Sequence, residues 1–76
     1  MLGEWMTEMR LAARLSGVKV SQQLGITRQA ISNWERDRRL PTLAMMDKWC
    51  AVVGLTPEQI QVAQELLRLA YEQRIK

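Results

Sequence analysis

The amino-acid sequence predicts an all-α domain of five helices, with two short helices joined by a glycine turn near its middle and a longer helix at its end. Three observations predict it. The stretch Gly17–Glu35, GVKVSQQLGITRQAISNWE, breaks into two amphipathic pieces around Gly25. The segments on either side carry apolar residues at i, i+3, i+4 and i+7, the period of a helix packed on one face. Ser16, Thr27, Thr42 and Thr56 stand just ahead of such segments, and Gly25 and Gly54 just after them, the order of helix caps and stops.

The first helix is predicted over Glu4 to Leu15, with Leu2, Trp5, Met6, Met9, Ala12 and Ala13 on its inner side. Ser16 caps the second helix, which runs to Leu24 with Val20, Ser21 and Leu24 on one face. Gly25 accepts positive φ without steric cost and so ends that helix. Thr27 caps the third, read here as Thr27 to Arg38, with Ala30, Ile31 and Trp34 inward. Pro41 disfavours helix at Leu40, which makes the segment from Arg36 to Leu40 a loop. Thr42 caps the fourth helix, which ends at Gly54 and has Leu43, Met46, Trp49, Cys50 and Val53 as its inner stripe. Thr56 as cap, Pro57 in the first turn and Glu58 near the positive end of the dipole start the last helix, which continues toward Ile75.

Seventy-six residues allow a single domain, 1–76, with a small core. With no Phe, three Trp and five Met join the aliphatic residues in filling it. Cys50 is the only cysteine and there is no His, which excludes an internal disulfide and a structural zinc site. Cys50 reads as a small buried apolar residue. No metal site and no cofactor are expected. No apolar run is long enough to cross a bilayer, and Met-Leu-Gly-Glu lacks the basic start of a signal peptide, so a cytoplasmic, nucleoid-associated protein is expected.

The formal charge of +3 is unevenly spread. Between Arg10 and Arg39 there are seven basic residues (10, 14, 19, 28, 36, 38, 39) against Glu35 and Asp37. The rest of the chain is net acidic. Such concentration is the footprint of a surface that meets phosphates. At about 100° per residue, the outward face of the third helix carries Gln29, Ser32, Asn33 and Arg36, with Arg28 at its flank. It has amide, hydroxyl and guanidinium groups and no carboxylate. Arg pairs with guanine, Gln and Asn with adenine, and Ser with either.

Two amphipathic helices separated by a short glycine turn form a helix-turn-helix. This one resembles the phage-repressor and Cro-like helix-turn-helix family, of the xenobiotic-response-element type. The resemblance is carried by Leu15-Ser16, Leu24-Gly25-Ile26-Thr27, Ile31-Ser32-Asn33-Trp34-Glu35, Pro41-Thr42-Leu43 and Val53-Gly54-Leu55. No single motif is specific, but their joint spacing is. It runs from about Met9 to Leu55 and leaves the final twenty or so residues outside. The resemblance implies a five-helix repressor-like DNA-binding domain whose third helix enters the major groove. Arg28, Gln29, Ser32 and Asn33 are then the base-contacting residues. Ser16, Gly17, Lys19, Thr27, Arg36, Arg38 and Arg39 are the phosphate-contacting set. Arg10 and Glu35 match the family's structural ion pair, with an exposed, weak pair as the alternative. One departure stands out: Gly17 replaces the glutamine usual there and offers only its backbone N–H, which at a helix N-terminus still suits a phosphate.

The last helix carries two adjacent apolar stripes, Ile60, Ala63, Leu67, Ala70 and Tyr71, then Val62, Leu66 and Leu69. A helix on a small core needs one stripe, and surplus apolar width marks a partner surface. Residues 56–76 are accordingly read as the dimerisation segment, with Val62, Leu66, Leu69 and Gln73 at a homodimer interface. The leading expectation is a sequence-specific regulator of double-stranded DNA, a repressor of a phage or mobile element on a palindromic operator. The alternatives are an antitoxin or adapter whose last helix binds another protein, and an activator that contacts polymerase. An enzyme is not expected, because the sequence has no nucleophile–base set and no glycine-rich phosphate loop.

Overall fold

The computed structural model describes residues 1–75; Lys76, the end of the segment read as dimerising, lies outside the described residues. The chain forms α1 (Leu2–Ala12), α2 (Gly17–Leu24), α3 (Arg28–Glu35), α4 (Leu43–Val53) and α5 (Pro57–Ile75). Side-chain caps set most of the starts. The hydroxyls of Ser16, Thr27 and Thr42 accept from the N–H groups of Lys19, Ala30 and Met45 at 3.0–3.1 Å. At α5 the cap is reciprocal: Thr56 Oγ1 accepts from Gln59 N–H, and Gln59 Oε1 accepts from Thr56 N–H. That box satisfies two end donors at once.

Each of the first four helices stops where one residue adopts positive φ. Two of these are glycines, Gly25 (70°) and Gly54 (79°), and two are not, Arg14 (60°) and Asp37 (58°). At Arg14 the N–H groups of Arg14 and Leu15 turn back to the carbonyls of Leu11 and Arg10. This paired return closes a helix whatever residue holds the left-handed position. It ends α1 at Ala12, short of the expected Leu15, and leaves Ala12 and Ala13 exposed rather than on the inner side. The same device at Asp37 sends the N–H groups of Asp37 and Arg38 to Trp34 and Asn33. So α3 ends at Glu35: the loop from Arg36 that Pro41 implies is present, and the longer reading of the helix, to Arg38, is corrected.

The start of α1 also differs from expectation. It begins at Leu2 because its cap comes from elsewhere in the chain: Gly3 N–H donates to Asp37 Oδ1 at 3.0 Å. A carboxylate there also faces the positive end of the helix dipole. The contact is very close. A Cβ on Gly3 would run into the Glu35 carbonyl oxygen and lie 2.8 Å from that of Trp34.

One core joins all five helices. Met6, Val20, Ile31, Trp34, Met46, Trp49, Ala63 and Leu67 are buried in it. The Trp5 and Trp49 rings, tilted by 48° with centroids 6.1 Å apart, tie α1 to α4. Cys50 is buried among them, and desolvation with the Asp47 charge nearby pushes its thiol up to about 11. Leu43, placed by periodicity on the inner stripe of α4, is 57% exposed because it lies in the first turn, beyond the reach of the core. Tyr71 likewise leaves its expected stripe and is exposed; its hydroxyl donates to the Pro41 carbonyl at 2.8 Å. On the solvent side of α5, Arg68 bridges Glu65 and Glu72.

The two special positions of α1 give opposite expectations. Gly3→Ala forces backbone apart and is expected to cost about 3 kcal/mol, as overpacking against main chain does. Arg14→Gly relieves a left-handed Cβ and is expected to gain about 0.5–1 kcal/mol after the added chain entropy. Urea denaturation of both variants checks the signs.

Candidate nucleic-acid interface

The outer face of the helix-turn-helix is built outward from α3. Ile31 and Trp34 are buried and fix the helix, so the residues between them face away from the core. Arg28 and Gln29 are exposed, and Ser32 and Asn33 are half-buried on the same side. Gln29 Nε2 donates to Asn33 Oδ1 at 3.1 Å, one turn apart. The bond holds the two amides side by side and leaves Gln29 Oε1 as an acceptor and Asn33 Nδ2 as a donor, both uncommitted among the described residues. An acceptor beside a donor is the pattern needed to read a base edge in the major groove.

An open groove runs along this face. Its walls include Gly17, Arg28, Gln29, Ser32, Arg36 and Arg38, together with Thr7 of α1 and the Arg10–Glu35 pair. Ser16, Lys19, Thr27, Asn33 and Arg39 lie outside its walls; all but Asn33 are exposed. Gly17 stands at the first turn of α2, where backbone donors have no intrahelical acceptor. A Cβ there would meet nothing nearer than Ile31 Cγ2 at 3.9 Å. The space for a side chain is therefore open, and Gly17 is not required by packing. The hydroxyls of Ser16 and Thr27 are engaged as caps, which leaves their protons free to donate outward.

Arg36, Arg38 and Arg39 are all exposed beyond the end of α3. Arg36 is the C-cap residue that follows the helix, and Arg38 and Arg39 turn their N–H groups back to the Asn33 carbonyl. The carboxylate between Arg36 and Arg38, that of Asp37, accepts from the Gly3 N–H at the start of α1. The loop is also held from α5. Arg74 Nη2 donates to the Asp37 carbonyl at 2.7 Å, Arg74 Nη1 reaches the Arg38 carbonyl at 3.5 Å, and Tyr71 holds Pro41. None of these tethers has a local signal. Each joins residues about thirty or more positions apart.

Along the α1 side of the groove lies the ion pair. Arg10 Nε donates to Glu35 Oε2 at 2.7 Å and Arg10 Nη2 to Glu35 Oε1 at 3.0 Å, a bidentate fork. Arg10 Nη1 adds a bond of 2.9 Å to the Leu15 carbonyl, so one guanidinium ties α1 to α3 and to the linker before α2. The side chains are 14% and 12% exposed. The hydrogen bonding to Glu35 raises the Arg10 pKa above its ordinary value, with burial opposing. Glu35 is thus paired, and the outer face of α3 carries no free carboxylate.

A family model for the Cro/C1-type helix-turn-helix matches residues 6–60. The chain belongs to that family. The match takes in most of α1, all of α2 to α4 and the first turn of α5, and it makes the protein a DNA-binding regulator. The rest of α5 lies outside it. Searches of the curated proteins and of the solved structures return no significant match. Among the described residues no helix is long and apolar enough to cross a membrane. On α5, Val62 and Leu69 are 44% and 39% exposed, and Gln73 is exposed. Leu66 is half-buried against the core, so of the four residues expected at a dimer interface it is the one shared with the domain's own packing.

Breaking the ion pair from one side leaves a mostly buried charge. Arg10→Met is expected to cost about 3 kcal/mol, and Arg10→Met with Glu35→Leu to recover most of that loss. A double-mutant cycle by chemical denaturation measures the difference.

Proposed function

We propose that the protein is a transcriptional repressor, of a phage or another mobile element, that binds a palindromic operator as a homodimer. The observation that carries the reading is the outer face of α3: an amide pair, a hydroxyl and Arg28, with Glu35 paired to Arg10 and Asp37 bonded to the N–H of Gly3. Arg28, Gln29, Ser32 and Asn33 read base edges. Ser16, Gly17, Lys19, Thr27, Arg36, Arg38 and Arg39 grip the flanking phosphates and set the register without reading sequence. Repression follows from occupying promoter DNA and excluding polymerase. No cofactor enters this scheme.

The dimer reading rests on Val62 and Leu69, apolar and exposed on α5, with Gln73 and part of Leu66 beside them. A two-fold axis through that stripe pairs two α3 helices for half-sites one helical turn apart, about 34–36 Å. Residues 56–76 then serve as the dimerisation segment of a single domain, 1–76.

Selection of bound sequences from a random duplex pool tests the proposal. The expected product is an inverted repeat with half-site centres about 10 bp apart. Asn33→Ala is expected to relax preference at one position of each half-site. Arg39→Ala is expected to weaken all sequences alike and to lower the salt slope by about 1. Val62→Glu with Leu69→Glu is expected to give a monomer by light scattering that selects single half-sites. A pool with no consensus, or one unaffected by Asn33→Ala, rejects base reading by α3. A wild-type monomer that selects single sites rejects the dimer.

A further inference from the structure

The last two turns of α5 lie outside the family match, yet they carry the bonds that hold the loop after α3. Arg74 reaches the carbonyls of Asp37 and Arg38, and Tyr71 reaches that of Pro41. Between these anchored carbonyls stand the exposed Arg38 and Arg39. We propose that Tyr71 and Arg74 are positioning residues for phosphate binding, which hold the main chain of residues 37–41 so that Arg38 and Arg39 meet the DNA backbone in register. The proposal rests on the reading that Arg38 and Arg39 are phosphate contacts.

The physical argument concerns entropy and geometry. A loop free to move must be ordered when DNA arrives, and that cost is subtracted from the gain of each charge-assisted contact. Here the ordering is done in advance from three sides. The Asp37 carboxylate is fixed on Gly3, the Asp37 and Arg38 carbonyls on the guanidinium of Arg74, and the Pro41 carbonyl on the Tyr71 hydroxyl. Pro41 is buried and so fixes the far end. Arg74 is suited to the task because its fork spans two successive carbonyls, which a lysine ammonium cannot do in one plane. Arg74 faces backbone, so its contribution to binding runs through the loop.

The phosphate term is independent of sequence, so a generic mixed-sequence duplex is a sufficient probe. The variant Tyr71→Phe/Arg74→Lys keeps the formal charge and removes the hydroxyl and the fork. Fluorescence anisotropy across a salt series, at a temperature where circular dichroism shows each variant folded, is expected to give about five-fold weaker binding at low salt. The slope of log K against log salt is expected to fall by about 0.9, the value of one phosphate contact. In the Arg38→Ala/Arg39→Ala background the same pair of changes is expected to have no further effect. An equal loss in both backgrounds overturns the inference, because it means that α5 acts on DNA directly or through overall stability. An unchanged slope in the otherwise native background overturns it as well. If Arg38→Ala/Arg39→Ala leaves binding unaltered, the phosphate role of the loop fails, and the positioning role falls with it.

Discussion

The docking of the first turn of α1 on the last turn of α3 is the contact on which the arrangement depends. At Gly3 the two main chains approach so closely that no side chain fits. The approach places a helix N-terminus, with its unpaired N–H groups, against the carbonyl end of another helix, and Asp37 completes the junction with its carboxylate. Opposite ends of two helix dipoles attract, and the contact needs little area to be favourable. Two turns further along α1, Arg10 grips Glu35. Two points of attachment fix both the position and the tilt of α3, which a single contact leaves free.

That clamp explains how so small a helix can hold a fixed outer face. α3 has only eight residues, and an isolated helix of that length does not persist in water. Its stability is tertiary: Ile31 and Trp34 in the core, Thr27 at the start, Asp37 and Glu35 bound to α1 at the end. The polar face is left free of any structural duty except the Gln29–Asn33 bond. Side chains with no part in holding the fold can be matched to a ligand without loss of stability.

The elements that follow local rules were legible in the sequence. The glycine stops at Gly25 and Gly54 and the hydroxyl caps at Ser16, Thr27 and Thr42 lie where caps and stops of this chemistry signal them. All of these caps and stops lie within residues 6–60, the stretch that the family model matches. What was hidden is nonlocal or breaks a local rule. Arg14 and Asp37 sit at positive φ without being glycine, so periodicity runs α1 on to Leu15 and α3 on to Arg38. Gly3 and Asp37 are thirty-four residues apart, and nothing near either one announces the other. The ring of Tyr71 fits the period of an apolar stripe, while its hydroxyl goes to a carbonyl in a distant loop. Gln59 was recoverable, since Thr-x-x-Gln is the local sign of a reciprocal cap.

The basic half of the chain holds two carboxylates, and both are disposed of in ways that favour an anionic ligand. Glu35 is neutralised by Arg10, which removes one of the seven cations along with it. Asp37 is bonded to a main-chain N–H at a positive helix end, so its field is opposed without consuming a side-chain cation. The six remaining basic residues, Arg14, Lys19, Arg28, Arg36, Arg38 and Arg39, are all exposed. An acid left free between Arg36 and Arg38 would lie well within the Debye length of about 8 Å at physiological salt and would repel each phosphate they approach. Its use as the cap of α1 therefore serves fold and ligand together: the positive helix end at Gly3 offsets part of the repulsion that this carboxylate would exert on a phosphate.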